Sequence, residues 1–180
     1  MTDLISPTYK ELITKNHIDN KYWGCGAKHF IHRVRKIIVA TGFTDILDYG
    51  CGKGSLAQLL GFPIKEYDPG IVGKDGPAQP ADLVVCAEVL EHVEPECLDA
   101  VLIDLRRCVK KIGFFAIPHN LAVSILPDGR NAHINVHSYE WWMDKLSELF
   151  TVQSAIEVQA ITAETEHLLM MGTRTFFIVY

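Results

Sequence analysis

The chain has 180 residues, a length that suits one domain of ordinary size. Hydrophobic residues make up 48% of the sequence and aromatic residues 9%, which is enough for a packed core. The net charge of −5 gives no electrostatic case for nonspecific binding to nucleic acid or to anionic membranes, although it leaves room for a small basic patch.

The cysteines and the chain ends point to a reducing compartment. The five cysteines are odd in number, and none forms a close pair of the metal-binding type. Cys51, Cys86 and Cys108 lie in apolar runs, where a reduced thiol behaves as a small hydrophobe. No signal peptide and no run of membrane-spanning length is visible. We therefore predict a cytoplasmic protein without a membrane anchor.

The first quarter of the chain is predicted to be an N-terminal helical segment, residues 1–43. Residues 1–25 are polar and lead into the aromatic and glycine-rich stretch Tyr22–Gly26. Apolar residues then recur at helical spacing from Phe30 to Ile38, and Gly42 fits the end of that helix. Trp23 either belongs to a lid over a ligand or anchors the helix to the rest of the fold. Residues 44–180 are predicted to form the core of the same domain.

Strand and helix patterns alternate through that core. Strands are predicted at Ile46–Tyr49, Ile64–Tyr67, Asp82–Ala87, Ile112–Ile117, Phe150–Gln159 and Thr173–Tyr180, with Ala160–Gly172 joining the last two. Helices are predicted over Leu56–Leu60, over Leu98–Val109 and from a Ser138 cap to Leu149, and Pro118–His137 is a long loop. This order predicts an α/β fold, doubly wound around a largely parallel sheet.

The stretch after the first strand has the composition of a ligand-binding turn. Gly50-Cys51-Gly52-Lys53-Gly54 alternates glycines, which let a ligand approach the main chain. Dinucleotide-binding turns have G-x-G-x-x-G spacing, whereas here Asp48 would repel a pyrophosphate. An acid at this place suits a cationic ligand such as S-adenosylmethionine, and Asp68 can take both ribose hydroxyls. The alternative is a tight turn that binds nothing.

These segments resemble the class I S-adenosylmethionine-dependent methyltransferases of the type 11/12-like kind. Asp48–Gly54 is similar to their acid-x-G-x-G-x-G turn, Asp82–Val93 to their fourth-strand segment and Gly113–Pro118 to their fifth strand. The resemblance implies a Rossmann-like methyltransferase whose last two strands form an antiparallel hairpin. It also implies that the cofactor S-adenosylmethionine is bound by Asp48, Gly50, Cys51, Gly52, Gly54, Asp68, Ala87 and Glu88.

The sequence departs from that family in one place. The family has a third strand and a helix before the fourth strand, and an adenine contact lies there. Only Pro69–Ala81 fills the corresponding gap, which is too short for both elements. We therefore expect the third strand to be missing, and no adenine-binding residue can be assigned.

A second group of residues has the spacing of a metal site. Glu88, Glu91 and His92 face one side if this segment begins a helical turn, and with one more ligand they can bind Mg²⁺ or Mn²⁺. The E-x-x-E-H motif with the later His137–Trp141 run resembles the metal-dependent small-RNA 3′-terminal 2′-O-methyltransferases. That resemblance implies that Glu88, Glu91, His92 and His137 bind a metal that polarises the acceptor hydroxyls. His133 is an alternative to His137.

Other interpretations of the same motif remain open. Ubiquinone-pathway O-methyltransferases have a similar E-x-x-E-H segment, and many methyltransferases without a metal carry E-V-L-E-H-V with the first Glu beside the cofactor. Without a metal, the proton acceptor is His119, Glu88 or His137. The main hypothesis is methyl transfer to an oxygen of an unidentified, small acceptor. The alternatives are an RNA 2′-O-methyltransferase, which the net charge disfavours, and a non-enzymatic S-adenosylmethionine-binding module.

Overall fold

The structure, a computed structural model, describes residues 3–158 and 173–180. Its helices are α1 (Pro7–Asp19), α2 (Ile31–Thr41), α3 (Ser55–Leu60), α4 (Leu98–Cys108) and α5 (Tyr139–Ser147). Its strands are β1 (Ile46–Tyr49), β2 (Lys65–Tyr67), β3 (Ala81–Ala87), β4 (Val109–Pro118), β5 (Val152–Val158) and β6 (Arg174–Val179). Short 3₁₀ turns cover Gly26–His29, Leu90–His92 and Pro95–Cys97. None of the described helices is both long enough and apolar enough to span a membrane.

The strands form one mixed sheet in the order β2-β1-β3-β4-β6-β5. The first four strands are parallel, and β6 runs antiparallel to both β4 and β5. This topology confirms the predicted Rossmann-like sheet with its C-terminal antiparallel hairpin. Of the predicted hairpin, Gln159 and the connection Ala160–Gly172 lie outside the described residues.

No strand forms between β2 and β3, as the short gap in the sequence predicts. Residues 68–80 fold as turns instead, in which Asp68 N donates a hydrogen bond to Lys74 O at 3.0 Å. Helix α1 packs on this loop, because Lys10 Nζ pairs with Asp75 at 2.9 Å and Ile13 lies against Gly70. The segment that connects β2 to β3 is thus a run of turns in contact with α1.

The core lies on both faces of the sheet. On one face, the described cluster joins α4 and α5 to the strands through buried side chains such as Leu102, Trp142 and Phe115. On the other face, α2 and α3 pack through Val34, Leu56 and Phe114 among others. Because successive strand residues point to opposite faces, a strand covered on both sides is apolar throughout. This explains the unbroken apolar run of β3.

Helix α1 is the largest element that the sequence patterns miss. Residues 1–43 are predicted to be a helical segment, but no individual helix is placed within residues 1–25. In the structure, Ser6 caps a helix there by accepting a hydrogen bond from Tyr9 N at 3.2 Å, and Pro7 occupies its first turn. The Ser-Pro pair was the available signal, since serine is a favoured N-cap and proline a favoured first residue. A third cluster, which includes Tyr9, Ile13, Leu126 and Ala132, packs α1 against the long loop after β4.

Candidate active site

The glycine turn joins β1 to α3 and is fixed by its neighbours. Gly50 has φ +79°, in the left-handed region, and a Cβ atom there would overlap the Val89 side chain. The main-chain N–H groups of Gly50 and Cys51 both donate to Tyr67 O, at 2.7 and 3.0 Å. The turn is therefore held between the end of β2 and the segment that follows β3.

Asp68 connects the turn to the end of β2. This buried carboxylate accepts hydrogen bonds from Gly52 N on Oδ2 and from Gly70 N on Oδ1, both at 2.9 Å. His17 of α1 places its Nε2 3.8 Å from Oδ1. Since an ionised carboxylate has about four acceptor sites, Asp68 keeps capacity for ligand hydroxyls.

Asp48 lies in β1, the strand next to β2, and is also buried, with 6% of its surface exposed. Burial, and secondarily the charges of Glu66 and Asp68, raise the pKa of Asp48 to about 7, while Lys74 acts in the opposite direction. A buried acid of this kind gains from a cationic partner, which would favour its charged form. Asp48 therefore has the electrostatic properties of a cation-binding group.

A cavity of about 480 Å³ lies at the carboxyl ends of β1, β2 and β3. This volume is within the usual range for small-molecule sites. The cavity brings together seven of the eight residues predicted to bind the cofactor: Asp48, Gly50, Cys51, Gly52, Asp68, Ala87 and Glu88. Gly54, the eighth, packs instead toward the side chains of Glu66 and Lys74.

The N-terminal segment forms the outer wall of this cavity. Lys53 N donates to Gly24 O at 3.2 Å, and Lys53 Nζ donates to Asn20 O at 2.6 Å. The two main chains are so close that a Cβ atom on Gly52 would lie 2.6 Å from Gly24 Cα. Trp23 lies in the wall between the rings of His17 and His92, with centroid distances of 6.4 and 5.0 Å.

Glu88 begins the segment after β3 with an unusual backbone. Its φ of 60° lies in the left-handed region. Its side chain pairs with Arg174 of β6, with 2.6 Å between Oε1 and Nη2. A Cβ atom on Gly26 would overlap its other carboxyl oxygen. Burial raises the pKa of Glu88, and the charge of Arg174 partly offsets this.

Glu91, His92 and His133 form the cluster among the described residues that could hold a metal ion. Glu91 is fully buried, and neither carboxyl oxygen has a hydrogen-bond partner in the described part of the chain. The Nε2 atoms of His92 and His133 lie 3.8 and 3.9 Å from Glu91 Oε1, too far for hydrogen bonds. Burial raises the pKa of Glu91 well above its usual range and lowers that of His92 to about 3.

The two imidazoles of this cluster are oriented by main-chain carbonyls. His92 Nδ1 is 2.7 Å from Ala132 O, and His133 Nδ1 is 2.5 Å from Asn120 O. Because a carbonyl oxygen only accepts hydrogen bonds, each Nδ1 carries the proton and each Nε2 keeps its lone pair. Histidines that bind a metal through one ring nitrogen typically donate the other ring N–H to a carbonyl or carboxylate in this way. An orphaned carboxylate beside two imidazole lone pairs fits a divalent cation.

This cluster differs from the predicted metal ligands at two positions. Glu88 pairs with Arg174 instead, because its left-handed backbone breaks the helical turn that the prediction assumed. His137 stacks on Trp141 with a centroid distance of 3.6 Å, and its Nε2 lies 2.8 Å from Asn135 Oδ1. His133, the alternative that the sequence left open, joins Glu91 and His92.

The structure places His119 away from the described cavity wall. Its Nδ1 lies 2.9 Å from His137 O, and its Nε2 lies 2.7 Å from Thr175 Oγ1. Both ring nitrogens of His119 are therefore engaged within the fold. In the described part of the chain, neither His119 nor His137 lines the cavity. The sequence had not indicated roles for His17 and Arg174, since their partners are 51 and 86 positions away along the chain, respectively.

Comparisons with known proteins relate most of the chain to one family. The family described as "Methyltransferase domain" matches residues 24–157. No curated protein sequence gives a significant match.

Several solved structures resemble the fold, among them two methyltransferases and one methyltransferase domain. An N1-methyltransferase of 1,6-didemethyltoxoflavin from Burkholderia thailandensis, with S-adenosylhomocysteine bound, has a TM-score of 0.67 at 12% identity, covering 99% of this chain and 92% of that one. The N-methyltransferase NodS from Bradyrhizobium japonicum, also with S-adenosylhomocysteine, has a TM-score of 0.62 at 13% identity, with coverages of 93% and 95%. The methyltransferase domain of a bacterial CtHen1 has a TM-score of 0.55 at 16% identity, with coverages of 83% and 97%. At these identities the likeness concerns the fold.

Proposed function

The chain belongs to the family of methyltransferase domains, and from this premise we propose that it transfers the methyl group of S-adenosylmethionine to an oxygen of a small acceptor molecule. The family match confirms the enzyme class that the glycine turn predicted. We add two points to that class: the acceptor atom is an oxygen, and the acceptor molecule is small. Both points rest on the cavity and its surroundings.

The cavity wall supports the cofactor assignment. Asp48, the glycine turn and Asp68 lie in one wall at the carboxyl ends of parallel strands, where ligands bind in open α/β sheets. Asp68 keeps acceptor capacity for ribose hydroxyls, and buried Asp48 gains from the ammonium group of the methionine end. Ala87 and Glu88 line the same cavity from β3. The two neighbours that hold S-adenosylhomocysteine support the same ligand.

Helix α1 forms one wall of the cavity, which favours a small acceptor. Tyr9 Oη donates to His92 O at 2.8 Å, so α1 lies directly beside the histidine cluster. Ser6 donates twice to the Glu94 carboxylate, through N at 2.8 Å and Oγ at 2.7 Å. Helix α1 is thereby attached on the acceptor side, where an RNA strand would need an open groove. The net charge of −5 also disfavours a polyanion.

The histidine cluster supports oxygen as the acceptor atom, because a hydroxyl must lose a proton during transfer. His92 and His133 line the cavity, and because burial lowers the pKa of His92 to about 3, the Nε2 lone pair of His133 is the better acceptor for that proton. Alternatively, a divalent cation bound by Glu91, His92 and His133 would lower the pKa of the acceptor hydroxyl. One carboxylate with two imidazoles suits Mn²⁺ better than Mg²⁺. Positioning of cofactor and acceptor supplies much of the remaining rate.

A metal-dependent RNA 2′-O-methyltransferase is the second candidate. The observation that favours it is the Glu91–His92–His133 cluster together with the fold likeness to the CtHen1 methyltransferase domain. The closed α1 side and the charge weigh against it. A non-enzymatic binding module is disfavoured, because titratable groups with shifted pKa values cluster in the cavity.

The test is a pair of binding and turnover experiments. Calorimetric titration with S-adenosylhomocysteine should show binding, and NAD should show none. Methyl transfer from labelled S-adenosylmethionine is then followed by mass spectrometry with hydroxyl, amine and short RNA acceptors, each with Mn²⁺ and with EDTA. Glu91→Gln tests the metal, and Glu96→Gln on the exposed surface is its matched control.

Each result has a defined meaning. Absence of cofactor binding would refute the whole proposal. Transfer to amines alone would refute the oxygen acceptor, and transfer to RNA alone would establish the second candidate. If EDTA and Glu91→Gln leave turnover unchanged, the metal is excluded and an imidazole is the proton acceptor.

A further inference from the structure

Glu88 has the only left-handed backbone among the non-glycine residues that the structure describes. Its φ of 60° is unfavourable for a residue with a Cβ atom, so other contacts must hold it. Strain of this kind is concentrated at functional sites, where the surrounding structure enforces it. Glu88 lies in the cavity wall directly after β3, so the strained residue is also a ligand-facing one.

Two elements from opposite parts of the chain hold the Glu88 carboxylate. Arg174 enters from β6, whose antiparallel pairing sets it opposite Pro118 at the end of β4. Its Nη2 lies 2.6 Å from Glu88 Oε1, and the two side chains are only 15% and 23% exposed. On the other side, Gly26 lies so close that any side chain there would displace Oε2. The carboxylate is clamped between a guanidinium and a glycine.

We propose that Arg174 is a positioning residue that holds the Glu88 carboxylate against the cationic methionine end of bound S-adenosylmethionine. This inference rests on the proposed cofactor. Arg174 does not line the cavity in the described part of the chain, so it acts through Glu88 rather than on the ligand. Gly26 also contributes to this positioning, because its lack of a side chain leaves the space that the Glu88 carboxylate occupies.

The pair has the geometry that such a role needs. A carboxylate in a partly buried wall attracts a cation more strongly than one in water, and a charge-assisted hydrogen bond fixes its direction. If Arg174 served only to join β6 to the sheet, its removal would lower stability without affecting ligand affinity through Glu88. A positioning role and a purely structural role of Arg174 therefore predict different effects on ligand affinity when Arg174 and Glu88 are substituted singly and together.

The experiment measures the S-adenosylhomocysteine dissociation constant by calorimetry, together with thermal unfolding of the ligand-free protein. The variants are Glu88→Gln, Arg174→Met, Arg174→Lys, the double variant Glu88→Gln/Arg174→Met and Gly26→Ala. Arg106→Met is the matched control, because Arg106 is exposed on α4 and is not among the cavity-lining residues of the described part of the chain.

Arg174→Met and Glu88→Gln should each weaken binding about tenfold or more, the size of a lost charged hydrogen bond. The double variant should bind no more weakly than Glu88→Gln alone, because Arg174 acts only through Glu88. Arg174→Lys should recover most of the affinity. Gly26→Ala should weaken binding with little change in unfolding temperature, since only the flexible carboxyl end must move. The control should bind like the wild type.

Wild-type affinity in Arg174→Met, or additive losses in the double variant, would overturn the positioning role while leaving the proposed cofactor intact. If Arg174→Met does not fold, Gly26→Ala and the double variant, which removes both charges, decide the question. Failure of the wild-type protein to bind S-adenosylhomocysteine would overturn the proposed function and this role with it.

Discussion

The pKa of Asp48 makes cofactor affinity depend on pH in a way that one substitution can isolate. Burial and the neighbouring acids Glu66 and Asp68 raise this pKa from 3.8 to about 7 in the ligand-free protein. If the ammonium group of the cofactor binds beside Asp48, it favours the ionised carboxylate. Affinity should then fall as the pH decreases through 7.

The expected size follows from the fraction of ionised Asp48. With a pKa of about 7, that fraction falls from about nine-tenths near pH 8 to about one-tenth near pH 6, so the dissociation constant of S-adenosylhomocysteine should rise about tenfold. Asp48→Asn should bind more weakly at pH 8 and lose this dependence. The ligand's own ionisation affects both proteins equally, so the ratio of their dissociation constants isolates Asp48.

The same substitution should change stability with a defined sign. A raised pKa means that folding opposes ionisation of Asp48, so stability is lost as the pH rises from about 4 to about 7. The difference between a pKa of 3.8 and one of about 7 corresponds to at most about 4 kcal/mol at pH 8, which Asp48→Asn should partly recover in the ligand-free protein. Equal pH profiles for the wild type and Asp48→Asn, in calorimetry and in thermal unfolding, would refute the reasoning.

Three further substitutions test the turn, the metal cluster and the N-terminal wall. Gly50→Ala should destabilise the protein by about 2–4 kcal/mol, because strain at positive φ adds to a side-chain overlap, whereas Gly76→Ala in open space should have little effect on the unfolding temperature. Mn²⁺ at about a hundredfold its dissociation constant should raise the free energy of unfolding of the wild type by about 2.7 kcal/mol, and that of Glu91→Gln by much less. Equal increases in the two proteins would contradict a metal site at Glu91. Gly24→Ala should loosen the contact with Gly52, so that proteolysis of the N-terminal segment becomes faster. An unchanged rate of proteolysis would mean that the cavity wall accommodates the extra methyl group.

Local patterns in the sequence were sufficient for the central fold. Apolar runs, glycine spacing and caps predicted β1, the turn, α3 and the helix that ends at Gly42, which has φ 69°. The short Pro69–Ala81 gap predicted the missing strand, because a strand plus a helix needs more residues than that. These features depend on neighbours along the chain, so their signals lie within a few positions of one another.

The convergence of the predicted cofactor residues on one cavity was also predictable, because parallel strands bring their carboxyl ends to one edge of the sheet. Asp48 lies near the end of β1, the glycine turn follows β1, and Asp68 follows β2, and the register of β1 with β2 sets them side by side. The resemblance to known methyltransferases therefore carried over to a cavity that contains most of these residues.

The sequence by itself thus determined the sheet, the glycine turn and the enzyme class. Only the tertiary structure decided the surroundings of the proposed acceptor site. The φ of Glu88 turned its carboxylate toward Arg174, and the folding back of the long loop put His133, rather than His137, beside Glu91. Helix α1 closed the cavity through contacts with residues more than 80 positions away. Such contacts depend on the packing of distant segments, which leaves no periodic signal in the sequence.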